Sequence, residues 1–183
     1  MKRIVVLCDG TWNSPTMKIP TNVVTLRDAC LDDGINQVVI YIPGVGVNKI
    51  ANRAISLLHK MGGGAFGWGL AKNVKRAYQQ LCLHYEAGDE IYIFGFSRGA
   101  YTARSLGGMI RKCGIVPKER IASKFTLNRA WWLYKRQAPE LDAGPLWTQR
   151  KALSPDIATS QEDWEARGQA GHIIDIRYVG VWD

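Results

Sequence analysis

DEIYIFGFSRGAYTARSLGGMIRKC, residues 89–113, is the stretch whose reading decides the fold. It opens with Ile91-Tyr92-Ile93-Phe94, a short apolar run rich in β-branched and aromatic residues, which predicts a buried strand. Gly95-Phe96-Ser97-Arg98-Gly99 follows, a G-x-S-x-G pattern. The segment after it carries apolar residues at Tyr101, Leu106, Met109 and Ile110, lacks proline, and predicts a helix. A serine on a sharp strand-to-helix turn adopts a strained backbone, and side chains two positions away on either side would clash. Glycines at 95 and 99 meet that demand. The turn lifts the Ser97 hydroxyl out of the sheet above a helix N-terminus, where amide hydrogens stabilise a negative oxygen. With 19 Gly in 183 residues the pattern alone arises easily by chance; its strand and helix flanks make it informative.

The rest of the chain sets bounds on this reading. Its length predicts one domain, residues 1–183, and its composition, 46% hydrophobic and 22% charged, is that of a globular protein. No apolar run approaches the ~20 residues of a membrane helix. Ile4 to Cys8, after Met-Lys-Arg, is too short for a signal peptide and reads as a first strand, so the product is expected to be cytoplasmic, or exported without a signal peptide. Cys8, Cys30, Cys82 and Cys113 are widely spaced in apolar surroundings and read as reduced core thiols, not as a disulfide set or a zinc site. The net charge of +8 suits anionic partners, but the bases are scattered and no nucleic-acid motif is present. Peripheral contact with an anionic membrane is the partner this charge allows, and nucleic acid is not expected.

Working outward, Lys2–Cys8 is strand one and ends in the polar turn Asp9-Gly10-Thr11-Trp12-Asn13. Thr21 to Asp32 predicts a helix capped by Thr21, with Val23, Val24, Leu26, Cys30 and Leu31 on its apolar face. Gln37 to Ile42 is strand two. Residues 43 to 69 form a glycine-rich excursion with a short helix from Ala51 to Lys60. Phe66 and Trp68 are expected in a lid over the site. A helix from about Leu70 to Tyr85 leads to strand three. Beyond Gly114, Pro117 begins a helix running to about Arg136, and 139–171 reads as an irregular connector; together 115–172 make a cap. Ile173 to Trp182 is strand four.

Strands alternating with helices predict a parallel sheet with both faces covered, in the order 2-1-3-4. Sites in such sheets lie at the carboxyl ends of strands. Three polar features fall there: the Asp9–Trp12 turn, Ser97, and Asp183 after strand four. Ser97 would have the Gly10-Thr11 turn on one side and Asp183 on the other. Asp9 reads as a turn former accepting backbone N–H bonds, with a direct catalytic role as the alternative.

LCDGTWN, YIPGVG, GFSRGAYTAR and VGVWD, in this order, resemble the catalytic domain of an α/β-hydrolase family typified by type VI secretion phospholipase effectors, over nearly the whole chain. The resemblance implies an α/β-hydrolase-like fold and a bacterial serine hydrolase of carboxylic esters, with phospholipids among the candidate substrates. It implies Ser97 as nucleophile, the Arg98 amide as one oxyanion donor, and an amide of Gly10-Thr11-Trp12 as the other. Asp183 corresponds to the acid that orients a histidine. No cofactor or metal is implied.

A hydroxyl at neutral pH needs a base. His84 ends the helix before strand three, at the amino edge of the sheet. His172 precedes strand four, and at ~3.3 Å per residue lies roughly 30 Å or more from Asp183. His59, in the excursion, reaches the carboxyl side but out of the family's chain order. The expectation is therefore an incomplete hydrolase domain, ending at an edge strand (173–182) open to pairing with another chain. The alternative is a catalytically dead fragment or interaction module. Two rival enzyme readings fail on spacing. A haloacid-dehalogenase-type phosphatase needs an Asp where Leu7 stands, and a phosphate loop needs Gly-Lys-Ser/Thr where Leu70-Ala71-Lys72 follows the glycines.

Overall fold

The computed structural model describes residues 1–11, 13–16, 18–45, 64–136 and 144–182, apart from the side chains of 64–66. Its elements run β1 (Arg3–Cys8), α1 (Asn22–Ala29), β2 (Gln37–Ile42), α2 (Gly64–His84), β3 (Glu90–Phe96), α3 (Arg98–Cys113), α4 (Lys118–Ile121), α5 (Lys124–Lys135), α6 (Gly144–Leu153), β4 (Ile157–Ala158), α7 (Gln161–Ala166), β5 (His172–Ile173) and β6 (Asp175–Trp182). Four strands form a parallel sheet in the order β2-β1-β3-β6, which is the expected 2-1-3-4 with β6 as fourth strand. The chain is α/β, with the sheet flanked by helices as in α/β-hydrolases.

Side-chain alternation builds the two layers. From β1, Ile4 and Val6 join Ile91 and Ile93 of β3 against α2 and α3. Val5 and Leu7 point the other way and pack with Val23 of α1, Phe94 and Trp182. Each fully buried aliphatic side chain of this kind contributes about 1.5–3 kcal/mol. The Thr21 cap is present, its hydroxyl accepting from the Val24 amide at 3.2 Å. Leu31 is the exception on that first helix: it lies beyond the helix end and is exposed. All four cysteines are free thiols, three buried and Cys30 half-buried.

Four expectations are corrected. The helix predicted from Leu70 begins at Gly64, so Trp68 sits on α2 and not in a lid loop. The glycines hide this start because they are poor helix formers, although Gly69 lies where α2 packs closely on the Val45 side chain. The helix predicted from Pro117 to Arg136 is broken at Ala122-Ser123. The Ile121 carbonyl there accepts from the Gln79 side chain at 3.2 Å, and that tertiary partner has no signature in local periodicity. The supposed irregular connector contains α6 and α7. It is organised by the buried Asp163 carboxylate, which accepts from Trp147 Nε1 at 2.7 Å, Arg167 Nε at 2.9 Å and the Thr159 amide at 2.9 Å. Burial works against this charge, but the hydrogen bonds prevail and hold the carboxyl below its ordinary value. Finally, the sheet is not covered throughout, since Tyr178, Val179 and Val181 of β6 are exposed. Among the described residues β6 pairs with β3 alone.

Candidate active site

Three loops meet at the carboxyl edge of the sheet because β2, β1 and β3 end in register, Ile42 and Gly95 both lying opposite Cys8. The elbow between β3 and α3 carries the strain expected of it. Ser97 has φ 52° and ψ −123°, a left-handed backbone that non-glycine residues seldom adopt. Its side chain is exposed. The turn is pinned from both sides: the Ser97 amide donates to the Trp182 carbonyl at 2.7 Å, and the Ala100 amide donates back to the Ser97 carbonyl at 2.8 Å. A Cβ on Gly99 would run into the Cys8 and Asp9 carbonyls, and one on Gly95 into the Gly99 carbonyl. The spacing of glycines around Ser97 is therefore a packing requirement. Arg98 is the first residue of α3, so its amide lies at the helix end that carries partial positive charge.

The second wall is the turn after β1. Asp9 is 3% exposed, and its carboxylate is engaged three times. It accepts from the Gly10 amide at 2.7 Å, from Thr21 Oγ1 at 3.1 Å and from the Tyr41 hydroxyl at 2.6 Å. These bonds match the turn-former reading of Asp9 and tie the Gly10 turn to α1 and β2. Burial, together with the bond to Asp9, raises the Tyr41 hydroxyl pKa well above that of an ordinary phenol. The turn closes through the Asn13 amide donating to the Gly10 carbonyl at 3.1 Å and the Gly44 amide donating to the Asn13 carbonyl at 3.2 Å. Gly44 lies so near that a Cβ there would overlap the Gly10 carbonyl. Next to this frame, Thr11 Oγ1 is buried and has no hydrogen-bond partner among the described residues.

A double comparison tests the frame. Tyr41→Phe removes one donor from a buried carboxylate and is expected to cost about 1.5–3 kcal/mol. Asp9→Ala strands three donors and should cost more, about 3–5 kcal/mol. Denaturant unfolding checks both. Equal effects for the two variants would mean that the carboxylate does not organise the turn.

Other groups at this edge are excluded or lie elsewhere. Cys8, beneath the turn, is fully buried, and burial aided by the Asp9 charge pushes its thiol up to about 12, so it carries no nucleophilic thiolate. His84 ends α2 and His172 opens β5 just before Asp175, which pairs with Glu90; both lie at the amino edge, away from Ser97. His59, Trp12 and Asp183 lie outside the described residues, as does the Phe66 side chain. Trp68 is 85% exposed on the first turns of α2. No group of three or more His, Cys, Asp or Glu is gathered as a metal site among the described residues. Sequence reading missed Tyr41 and Thr21 as members of the frame. Their partner Asp9 is distant in the chain, and only the β1–β2 register brings Tyr41 to it.

Comparison with known proteins agrees with this geometry. The family model described as T6SS, Phospholipase effector Tle1-like, catalytic domain matches residues 2–183. An uncharacterised protein of Saccharomyces cerevisiae, YEL023C, is 29% identical over 190 residues that span 100% of this chain and 26% of its own length. The chain thus spans about a quarter of that curated relative. No solved structure matches. With nearly every residue inside that match, the chain belongs to the family of Tle1-like type VI secretion phospholipase effectors, as their catalytic domain.

Proposed function

We propose that this domain is the nucleophile-bearing part of a serine esterase acting on carboxylic esters of lipids, phospholipids among them. The observation that carries the reading is the backbone of Ser97, held at φ 52° between β3 and α3 by glycines that cannot bear a side chain. Ser97 Oγ attacks the ester carbonyl and passes its proton to an imidazole, and the carbonyl oxygen becomes an oxyanion. That charge is met by the Arg98 amide and by the Thr11 or Trp12 amide of the turn after β1; the Gly10 amide is engaged by the Asp9 carboxylate, which fixes the turn before substrate arrives. Collapse of the intermediate expels the alcohol, which takes the proton from the imidazolium. Water then releases the acid from the acyl-serine by the same steps. Asp183 orients the imidazole and stabilises its charged form.

His84 and His172 do not supply this imidazole, because both occupy the amino edge. The candidates that remain are His59, which lies outside the described residues, and a histidine of another chain pairing along β6. Neither a cofactor nor a metal enters the scheme. Export through a secretion apparatus fits the family to which the chain belongs. The second reading, a catalytically silent interaction module, is favoured by the same position of the histidines.

The test compares the protein with its Ser97→Ala and His59→Ala variants on p-nitrophenyl butyrate and on phosphatidylglycerol. The esterase reading expects turnover that Ser97→Ala abolishes. Loss of turnover in His59→Ala as well assigns the base to His59, and turnover that survives it assigns the base to another histidine. Absence of turnover, or turnover indifferent to Ser97→Ala, selects the silent module.

A further inference from the structure

One face of the molecule lies outside the catalytic frame and is built from α2 and α5. Neither helix contains an aspartate or glutamate, although α2 carries Lys72, Lys75 and Arg76 and α5 carries Lys124, Arg129 and Lys135. The helices run side by side in opposite directions. Lys75 Nζ donates to Asn128 Oδ1 at 3.2 Å, and Trp131 lies across from Trp68 and Lys72. Between them runs an open groove of ≈ 580 Å³ whose lining includes Lys72, Lys75, Arg76 and Lys124 and no acidic residue.

The outward stripe of α5 is Phe125, Arg129, Trp132 and Arg136, at helical spacing. Phe125 is 74% exposed and Trp132 is 45% exposed, a position where a soluble surface seldom carries large apolar rings. Arg136 stacks over the Trp132 ring at 4.3 Å and Lys135 over Trp131 at 5.9 Å. Rings interleaved with bases on one helical face suit a surface that is anionic outside and apolar just beneath. The Trp68 end of this face is also the end nearest the nucleophile. Asn73 of α2 donates to the Pro43 carbonyl at 3.0 Å, and Val45 packs at Gly69, which ties α2 to the loop whose Gly44 abuts the Gly10 turn.

We infer that the α2–α5 face docks on an anionic phospholipid bilayer, with Phe125 and Trp132 entering the interface and the bases meeting phosphates. This deepens the lipid-esterase reading by naming the surface on which the enzyme works, and it makes no use of the Ser97 hydroxyl. The test therefore uses the Ser97→Ala chain, so that failure of docking and failure of catalysis are read separately.

The measurement is cosedimentation with vesicles of phosphatidylcholine alone and of phosphatidylcholine with ~30% phosphatidylglycerol, at ~0.1 M salt. Binding is expected on the anionic vesicles only. It should fall at least about tenfold in Phe125→Ser/Trp132→Ser and again in Lys72→Glu/Arg76→Glu/Lys124→Glu. Arg3→Glu, at the amino edge of β1, should leave it unchanged. All three variants alter exposed side chains, and unchanged circular dichroism confirms that each is folded. Equal binding to both vesicle types overturns the inference, as does binding that survives both α2–α5 variants. So does binding of duplex DNA, or self-association through this face, without vesicle binding.

Discussion

Ser97→Ala is expected to lower kcat/KM toward a short-chain ester by about 10⁴-fold or more, in whichever form of the protein turns that ester over. The size follows from the role. Without Oγ there is no acyl-enzyme, and what remains is water attack helped only by the amides of the oxyanion frame. The substitution should leave the fold intact, because the Ser97 side chain is exposed and makes no capping hydrogen bond to α3. Its strained backbone is held by the Ser97 amide and carbonyl, which alanine keeps. Stability within about 1 kcal/mol of wild type, with activity lost, is the expected pair of results. A loss of less than tenfold would remove the serine from the chemistry.

Gly99→Ala is expected to have the largest effect on folding. A methyl there meets the Cys8 and Asp9 carbonyls, which belong to a central strand and to the turn that follows it. Neither can move without breaking the β1–β3 ladder or the Gly10 frame. Overpacking against main chain costs about 3 kcal/mol or more. Gly107→Ala is the internal control, since the position is on the same helix and a Cβ there meets nothing within 4 Å. It should stabilise by about 0.5–1 kcal/mol through helix propensity. Thermal or denaturant unfolding of the two variants checks the contrast. Equal destabilisation would mean that the close approach at residue 99 is not what glycine provides there.

These two glycines show what a sequence can disclose here. The strands, the elbow and its flanking glycines were legible because they rest on short-range patterns: period-two burial, β-branched runs and a turn that only small residues allow. The Gly10 turn was legible as a place but not as a mechanism. Asp9 holds it with donors from Thr21 and Tyr41, and the bond to Tyr41 spans two parallel strands. The start of α2 was hidden by glycines that helical propensity counts against, one of which packs closely on Val45. The break before α5 was hidden because the carbonyl freed at Ile121 is satisfied by Gln79, from another helix. The order between Gly144 and Ala166 rests on Asp163 and its partners, though Ser160 three residues before Asp163 is a helix-start signal that the reading passed over.

The most direct test of the central claim is covalent labelling with a fluorophosphonate, read by mass spectrometry of the tryptic peptide that contains residue 97. The probe reacts only with a serine whose hydroxyl is activated beside an oxyanion hole. A phosphonyl adduct on Ser97 is expected in the form of the protein that hydrolyses esters, and in that form it should weaken sharply on Asp9→Ala, which frees the Gly10 turn. A protein that hydrolyses esters yet carries its adduct on any other residue, or an adduct on Ser97 indifferent to Asp9→Ala, would contradict the account.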